Sequence, residues 1–186
     1  MKTQTNVGAY LIEPTTTLSP EVQKIFKDAT SSLVGVRYTP LILVGTQIVS
    51  GQNYKFIAQM NVLNSQFPKT LVNMTIYVPF EGIPVILNIN QLISEYGVAG
   101  GWKVVGAVNK LPQQIATAFS ELFSNIDGVG YNPLVYVGEQ LVHGKNHMIY
   151  CEQTLVTQVP QRHLVSVVLH ETLEGEYSIL SIGTIE

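Results

Sequence analysis

The chain has 186 residues, 46% of them hydrophobic and only 12% charged, so it holds ample material for packed cores and enough length for one domain or two. A formal net charge of -3 leaves no basic footprint, which argues against nucleic acid as a partner. No apolar run approaches the roughly 18–20 residues of a membrane-spanning helix, and Met1–Asn6 carries no apolar stretch of a secretion signal.

In chain order, Gly8 precedes a short strand predicted over Ala9–Ile12. Ser19-Pro20-Glu21 reads as a helix start: the serine caps, the proline suits the first helical position, and the glutamate meets the positive end of the dipole. Val22, Ile25, Phe26, Ala29 and Leu33 recur at helical spacing and form one apolar face. Gly35 stands where that helix is expected to end. A second strand is expected over Tyr38–Gln47, with Pro40 near its start. Gly45 within it points to a bulge or a close backbone approach. A hairpin tip follows, then strands over Gln52–Leu63 and Lys69–Val78. A turn at Pro79-Phe80-Glu81-Gly82 leads to a last strand over Pro84–Ile89.

The same order then returns 93 positions on, half of the 186-residue length. Phe26 matches Phe119, Gly35 matches Gly128, Pro40 matches Pro133, Gly45 matches Gly138, and Gly82 matches Gly175. Gln47, Val49 and Gly51 match Gln140, Val142 and Gly144, and the second helix repeats its face with Ile115, Ala118, Phe119, Leu122 and Ile126. Self-similarity in one register over the whole length is the mark of a duplication. Two units are therefore expected, 1–93 and 94–186, each an α+β fold of strand, helix and four strands, the helix packed on a curved antiparallel sheet. A single sheet shared by both halves is the alternative.

Three places in this pattern resemble the cystatin family of cysteine-protease inhibitors. Gln47-Ile48-Val49-Ser50-Gly51 resembles the family's Gln-x-Val-x-Gly hairpin, and Gln140-Leu141-Val142-His143-Gly144 repeats it. Val78-Pro79-Phe80-Glu81-Gly82 is similar to the family's second, Pro-Trp hairpin, with Phe for Trp. Gly8, and Gly101 within Gly100-Gly101-Trp102, resemble the glycine that ends the family's N-terminal arm. In the second unit Thr172-Leu173 replace Pro79-Phe80, which puts that contact in doubt there. With one cysteine, Cys151, the chain is stefin-like in lacking disulfides.

The resemblance implies an occluding inhibitor of papain-like cysteine proteases and no catalysis. An arm and two hairpin tips would form a wedge that fills the protease cleft, with the first unit more complete than the second. In this reading the Gln47 amide bonds to cleft backbone. Val49 offers a stiff apolar contact, Gly51 permits the turn, and Phe80 is the aromatic anchor beside a rigid Pro79. The resemblance implies a monomer or, through strain at Val49, a strand-exchanged dimer. The short linker Asn90–Gly100 suggests a head-to-tail tandem whose second tip, Leu141–Gly144, is partly covered by the first unit.

Competing readings remain open on the residues. One is a non-inhibitory protein-binding module on the same duplicated scaffold, since fold does not fix function. Another is an enzyme on a curved sheet, for which no plausible dyad is seen. His143, His147, His163 and His170 lack the spacing of a structural metal site; no metal and no cofactor is expected. His143 at the second tip would make that unit's binding depend on pH. Cys151 is expected to be a buried, inert thiol. A lone cysteine and no leader fit a reducing compartment, so the cytoplasm is favoured, with a mature secreted form still compatible.

Overall fold

The computed structural model describes residues 8–63, 69–95, 100–108 and 110–186, with backbone alone at 106–108. Among the described residues, ten strands and two helices follow the order strand–helix–four strands twice. The first run is β1 (Leu11–Thr15), α1 (Pro20–Thr30), β2 (Val36–Val49), β3 (Gly51–Val62), β4 (Lys69–Val78) and β5 (Val85–Ser94). The second is β6 (Trp102–Val108), α2 (Gln113–Phe123), β7 (Val129–Val142), β8 (Gly144–Leu155), β9 (Gln161–Glu171) and β10 (Tyr177–Thr184). Each run builds its own antiparallel five-stranded sheet, ordered β1-β2-β3-β4-β5 and β10-β9-β8-β7-β6. A single shared sheet is thereby set aside.

Both helices arise where the sequence places them, and both are shorter than expected. Ser19 caps α1, its hydroxyl accepting from the Val22 amide at 3.3 Å, and Pro20 takes the first position. Pro112 precedes α2 without a side-chain cap. Ile25, Phe26 and Ala29 of α1, and Ile115, Ala118 and Phe119 of α2, are the buried stripe. The helices end at Thr30 and Phe123, ahead of Gly35 and Gly128. Those glycines instead adopt positive φ where the chain turns into β2 and β7.

The interior of β2 carries two irregularities, at Pro40/Ile42 and Leu43/Gly45, and β7 repeats them at Pro133/Val135 and Tyr136/Gly138. Proline survives inside a central strand because it sits at a bulge, where the ladder is interrupted anyway. At the second irregularity the neighbouring strand crosses very close. A Cβ on Gly45 would lie 2.2 Å from the Leu11 carbonyl oxygen, and one on Gly138 would lie 2.1 Å from that of Lys103. Bulge and close approach, both legible as alternatives in the sequence, occur together.

The repeat is not gapless in three dimensions. Ile12 pairs with Gly45 and Thr15 with Leu43, whereas Val104 pairs with Gly138 and Val108 with Tyr136. One additional residue is therefore absorbed in the bulge of β6. Ahead of that bulge, the structural counterpart of Gly8 is Gly100 and not Gly101.

The two sheets stack face to face. Leu41, Ile42, Val44, Ile57 and Leu71 of the first run share one core with Val104, Leu134, Val135, Val137, Tyr150 and Leu164 of the second. The opposite face of each sheet receives its own helix: Phe26 of α1 meets Phe56 edge-on at 5.1 Å, and Phe119 packs among Tyr136, Ile149, Cys151 and Val167. The layers run helix, sheet, sheet, helix. Because both faces of the central strands are covered at mid-length, their middles are runs of consecutive apolar residues, such as Leu41–Val44, Phe56–Ala58, Leu134–Val137 and Ile149–Cys151, instead of alternating. That is where the scarcity of charge originates.

The stack also corrects the expected head-to-tail tandem. The units meet through sheet faces, leaving their ends free, and Leu141 at the second tip is 71% exposed and Val142 41%. The second tip is not covered by the first unit.

Candidate functional site

At one end of the first sheet, β2 turns into β3 through Val49, Ser50 and Gly51. Ile48 and Ser50 are exposed and Val49 is half-buried. Gly51 is buried because β4 runs directly beneath it: a Cβ there would lie 2.4 Å from the Val78 carbonyl oxygen. The Tyr77 hydroxyl donates to the Ser50 carbonyl, which ties the tip to the end of β4. Immediately beyond, Pro79–Gly82 forms the next loop. Phe80 is 85% exposed there, and Ile83 beside it is exposed as well. Phe80 is a tip residue, with no part in the core.

The Gln47 amide is hydrogen-bonded within the molecule. Its Nε2 donates to the Gly8 carbonyl at 2.7 Å, and its Oε1 accepts from Asn53 Nδ2 at 2.7 Å. The amide is a brace between the incoming N-terminal segment and the hairpin. Gly8, the Ile48–Ser50 tip and the Pro79–Phe80 loop are thus held as neighbours along one edge.

The second unit repeats the brace. Gln140 Nε2 donates to the Gly100 carbonyl at 2.8 Å, and Asn146 Nδ2 donates to Gln140 Oε1 at 2.8 Å. A Cβ on Gly144 would lie 2.2 Å from the Glu171 carbonyl oxygen. Leu141, Val142 and His143 form the exposed tip. Gly101 follows the bracing Gly100 and makes no such bond itself. Leu173, at the position of Phe80, is 67% exposed and shares a shallow recess with Leu141, Lys145 and Thr172. An apolar side chain therefore stands at the second loop in both units, which the loss of Pro-Phe in the sequence had obscured.

Beneath the second tip lies a polar network that sequence reasoning missed. His147 is buried; its Nε2 lies 2.9 Å from Glu171 Oε2 and its Nδ1 lies 2.8 Å from the Tyr136 hydroxyl. A carboxylate only accepts, so Nε2 carries the shared proton, and Nδ1 shares a hydrogen bond with the tyrosine hydroxyl. The hydrogen bond from His147, helped by one from Tyr177, holds the Glu171 carboxyl below the usual range. Burial, reinforced by the charges of Glu139 and Glu171, pushes the Tyr136 phenol up, so it remains a donor. The first unit has Leu43, Tyr54 and Val78 at the positions of Tyr136, His147 and Glu171. His170 Nδ1 also meets Asn146 Oδ1 at 2.9 Å, whereas the corresponding Asn53 Oδ1 is buried with no hydrogen-bond partner. The only signal was that all four histidines fall in the second half.

Cys151 is fully buried, and desolvation raises its thiol pKa, the opposite of what a nucleophile needs. Among the described residues no group of three His, Cys, Asp or Glu side chains converges as a metal site. The chain matches no known protein-family model and no curated protein.

Proposed function

We propose that the chain is a reversible, occluding inhibitor of papain-like cysteine proteases, built from two cystatin-like units. The observation that carries this reading is the braced edge. Gln47 holds Gly8 against the first tip, Tyr77 holds that tip against β4, and Phe80 projects from the adjoining loop. Three neighbouring segments, two of them with exposed apolar points, are tied together by these hydrogen bonds into a preorganised wedge, which loses little entropy on entering a cleft. No peptide bond in it lies beside an activated group, so occlusion and not turnover is the chemistry.

Gln47 contributes here by preorganisation, and Ile48, Val49 and Phe80 supply the contacts. The same edge would serve a non-inhibitory binding module, and a titration separates the two. Papain activity is measured against increasing concentrations of the chain, of Val49→Asp, and of Val142→Asp. Near-stoichiometric inhibition is expected for the unaltered chain. Val49→Asp should weaken the first site by about 30-fold or more, the effect of losing an interfacial anchor of about 2 kcal/mol. An unaltered rate for papain and for related proteases would rule out inhibition of these enzymes.

A further inference from the structure

We infer that β5 is a docking edge for a second copy of the chain, with two β5 strands pairing antiparallel about a two-fold axis. The inference is independent of the inhibitor reading.

The sheet edges are not built alike. β1 is five residues long and carries Glu13 and Pro14, and β6 carries Lys103. Short length, proline and charge are features that keep an edge from pairing with another chain. β5 has none of these three. It runs for ten residues, and from Ile83 to Ser94 the chain holds no charged side chain. Among the described residues no strand pairs with the outer side of β5. The backbone N–H and C=O groups of such an edge are a template for a further strand.

The side chains along this edge are apolar and uncovered. Val85, Leu87, Ile89 and Leu92 are all exposed, Leu87 at 55%, and so is every position from Leu87 to Leu92. Ile89 pairs with Met74, which is fully buried in the core under α1. The cover that the helix gives β4 therefore does not extend over β5 at this level. Two irregularities in the pairing with β4 fall at Leu87 and Leu92. A bulge leaves its extra residue unpaired, so both leucines stand outside the ladder. Between them Asn88, Ile89, Asn90 and Gln91 keep register with Thr75, Met74, Asn73 and Val72, a regular stretch on which a further strand can form. Leu180, at the position of Leu87 in the second unit, also lies at a bulge and is exposed.

The absence of charge selects the occupant. About a two-fold axis a strand meets its own sequence reversed, so a charge near the axis faces its copy, and like charges directly opposite are destabilising. A partner of different sequence is steered by complementary charge, and β5 offers none. A charge-free strand with exposed leucine and isoleucine is self-complementary. β10 is also free of charge, but it has eight residues, with Ser178, Ser181 and Gly183 among them. β5 is the longer and more apolar of the two edges. Ten residues a side is fewer than the roughly 20–30 of a standard interface, so the dimer is weak and reversible.

The test is sedimentation equilibrium of the full chain from roughly 1 to 300 µM, a range suited to a small interface. A monomer–dimer equilibrium that reverses on dilution is expected. Leu87→Lys combined with Ile89→Lys should weaken the dimer about tenfold or more, by removing apolar contacts and bringing like charges together. Leu180→Lys should leave it unchanged. Circular dichroism melting verifies the folding of each variant. A nitroxide on Asn88→Cys reacts at that site alone, since Cys151 is fully buried, and should show dipolar broadening in the dimer. A nitroxide on Ser181→Cys should not. A monomer at every concentration would overturn the inference. So would a dimer without broadening at Asn88→Cys, or one that resists dilution as a strand-exchanged dimer does.

Discussion

Gly51 and Gly144 show how much a single hydrogen atom decides at the tips. Each has a positive φ, 126° and 99°, and each lies against a carbonyl oxygen of the adjacent strand. A methyl group there meets both backbone strain and a clash that only separation of the strands relieves. Gly51→Ala is expected to lower stability by about 2 kcal/mol or more, the scale of a strained non-glycine backbone. It should also loosen the first tip, and urea unfolding together with papain inhibition checks the two effects.

Glu171 supports a prediction of the opposite kind, one that distinguishes the units by pH. Its carboxyl is held below the usual carboxylate range in the folded state, chiefly through the hydrogen bond from His147. A carboxyl with a depressed folded pKa adds stability that is fully present above its unfolded pKa. That stability is lost as pH falls through the lower folded value. Glu171→Gln should therefore lower the urea midpoint at pH 7, and the difference from the unaltered chain should shrink below about pH 4. A difference that stays constant down to pH 3 would mean that the ionised carboxylate is not what stabilises the second tip.

Elements were legible in proportion to how local their causes are. Serine, proline and a stripe of Ile25, Phe26 and Ala29 act within a few residues, so α1 emerged from the sequence with its start correct. Its end was misplaced, because Gly35 has the positive φ of a helix stop but serves the entry to β2. β5 runs to Ser94, past the expected Ile89, since its extension depends on pairing with β4 from Thr70 to Tyr77. The glycines at 45 and 138 announced a bulge by being glycines. That β1 and β6 are what lies against them was a tertiary matter. The extra residue in β6 escaped notice because adjacent glycines, 100 and 101, let a gapless alignment choose the wrong one.

Across the whole molecule, the shared core joins two repeats that a sequence reader would separate. Leu41, Ile57 and Leu71 on one side, and Val135, Val137 and Leu164 on the other, are all buried in it. Each such side chain contributes about 1.5–3 kcal/mol by leaving water, so neither sheet is expected to survive alone with that face exposed. Calorimetry of the full chain should show a single transition, with calorimetric and van 't Hoff enthalpies in agreement. Two resolved transitions would mean that the repeats fold as independent bodies.

The sequence by itself determined the duplication, the α+β class, the element order and the position of each tip. Those follow from periodicity, turn chemistry and repetition, which act along the chain. Only the tertiary structure decided that the sheets stack by their faces and that Gln47 and Gln140 brace the N-terminal segments against their hairpins. The physical reason is that a strand apolar on both faces records that it is covered twice, but not by what. Helix and neighbouring sheet bury the same side chains with the same free energy, so composition cannot tell one cover from the other.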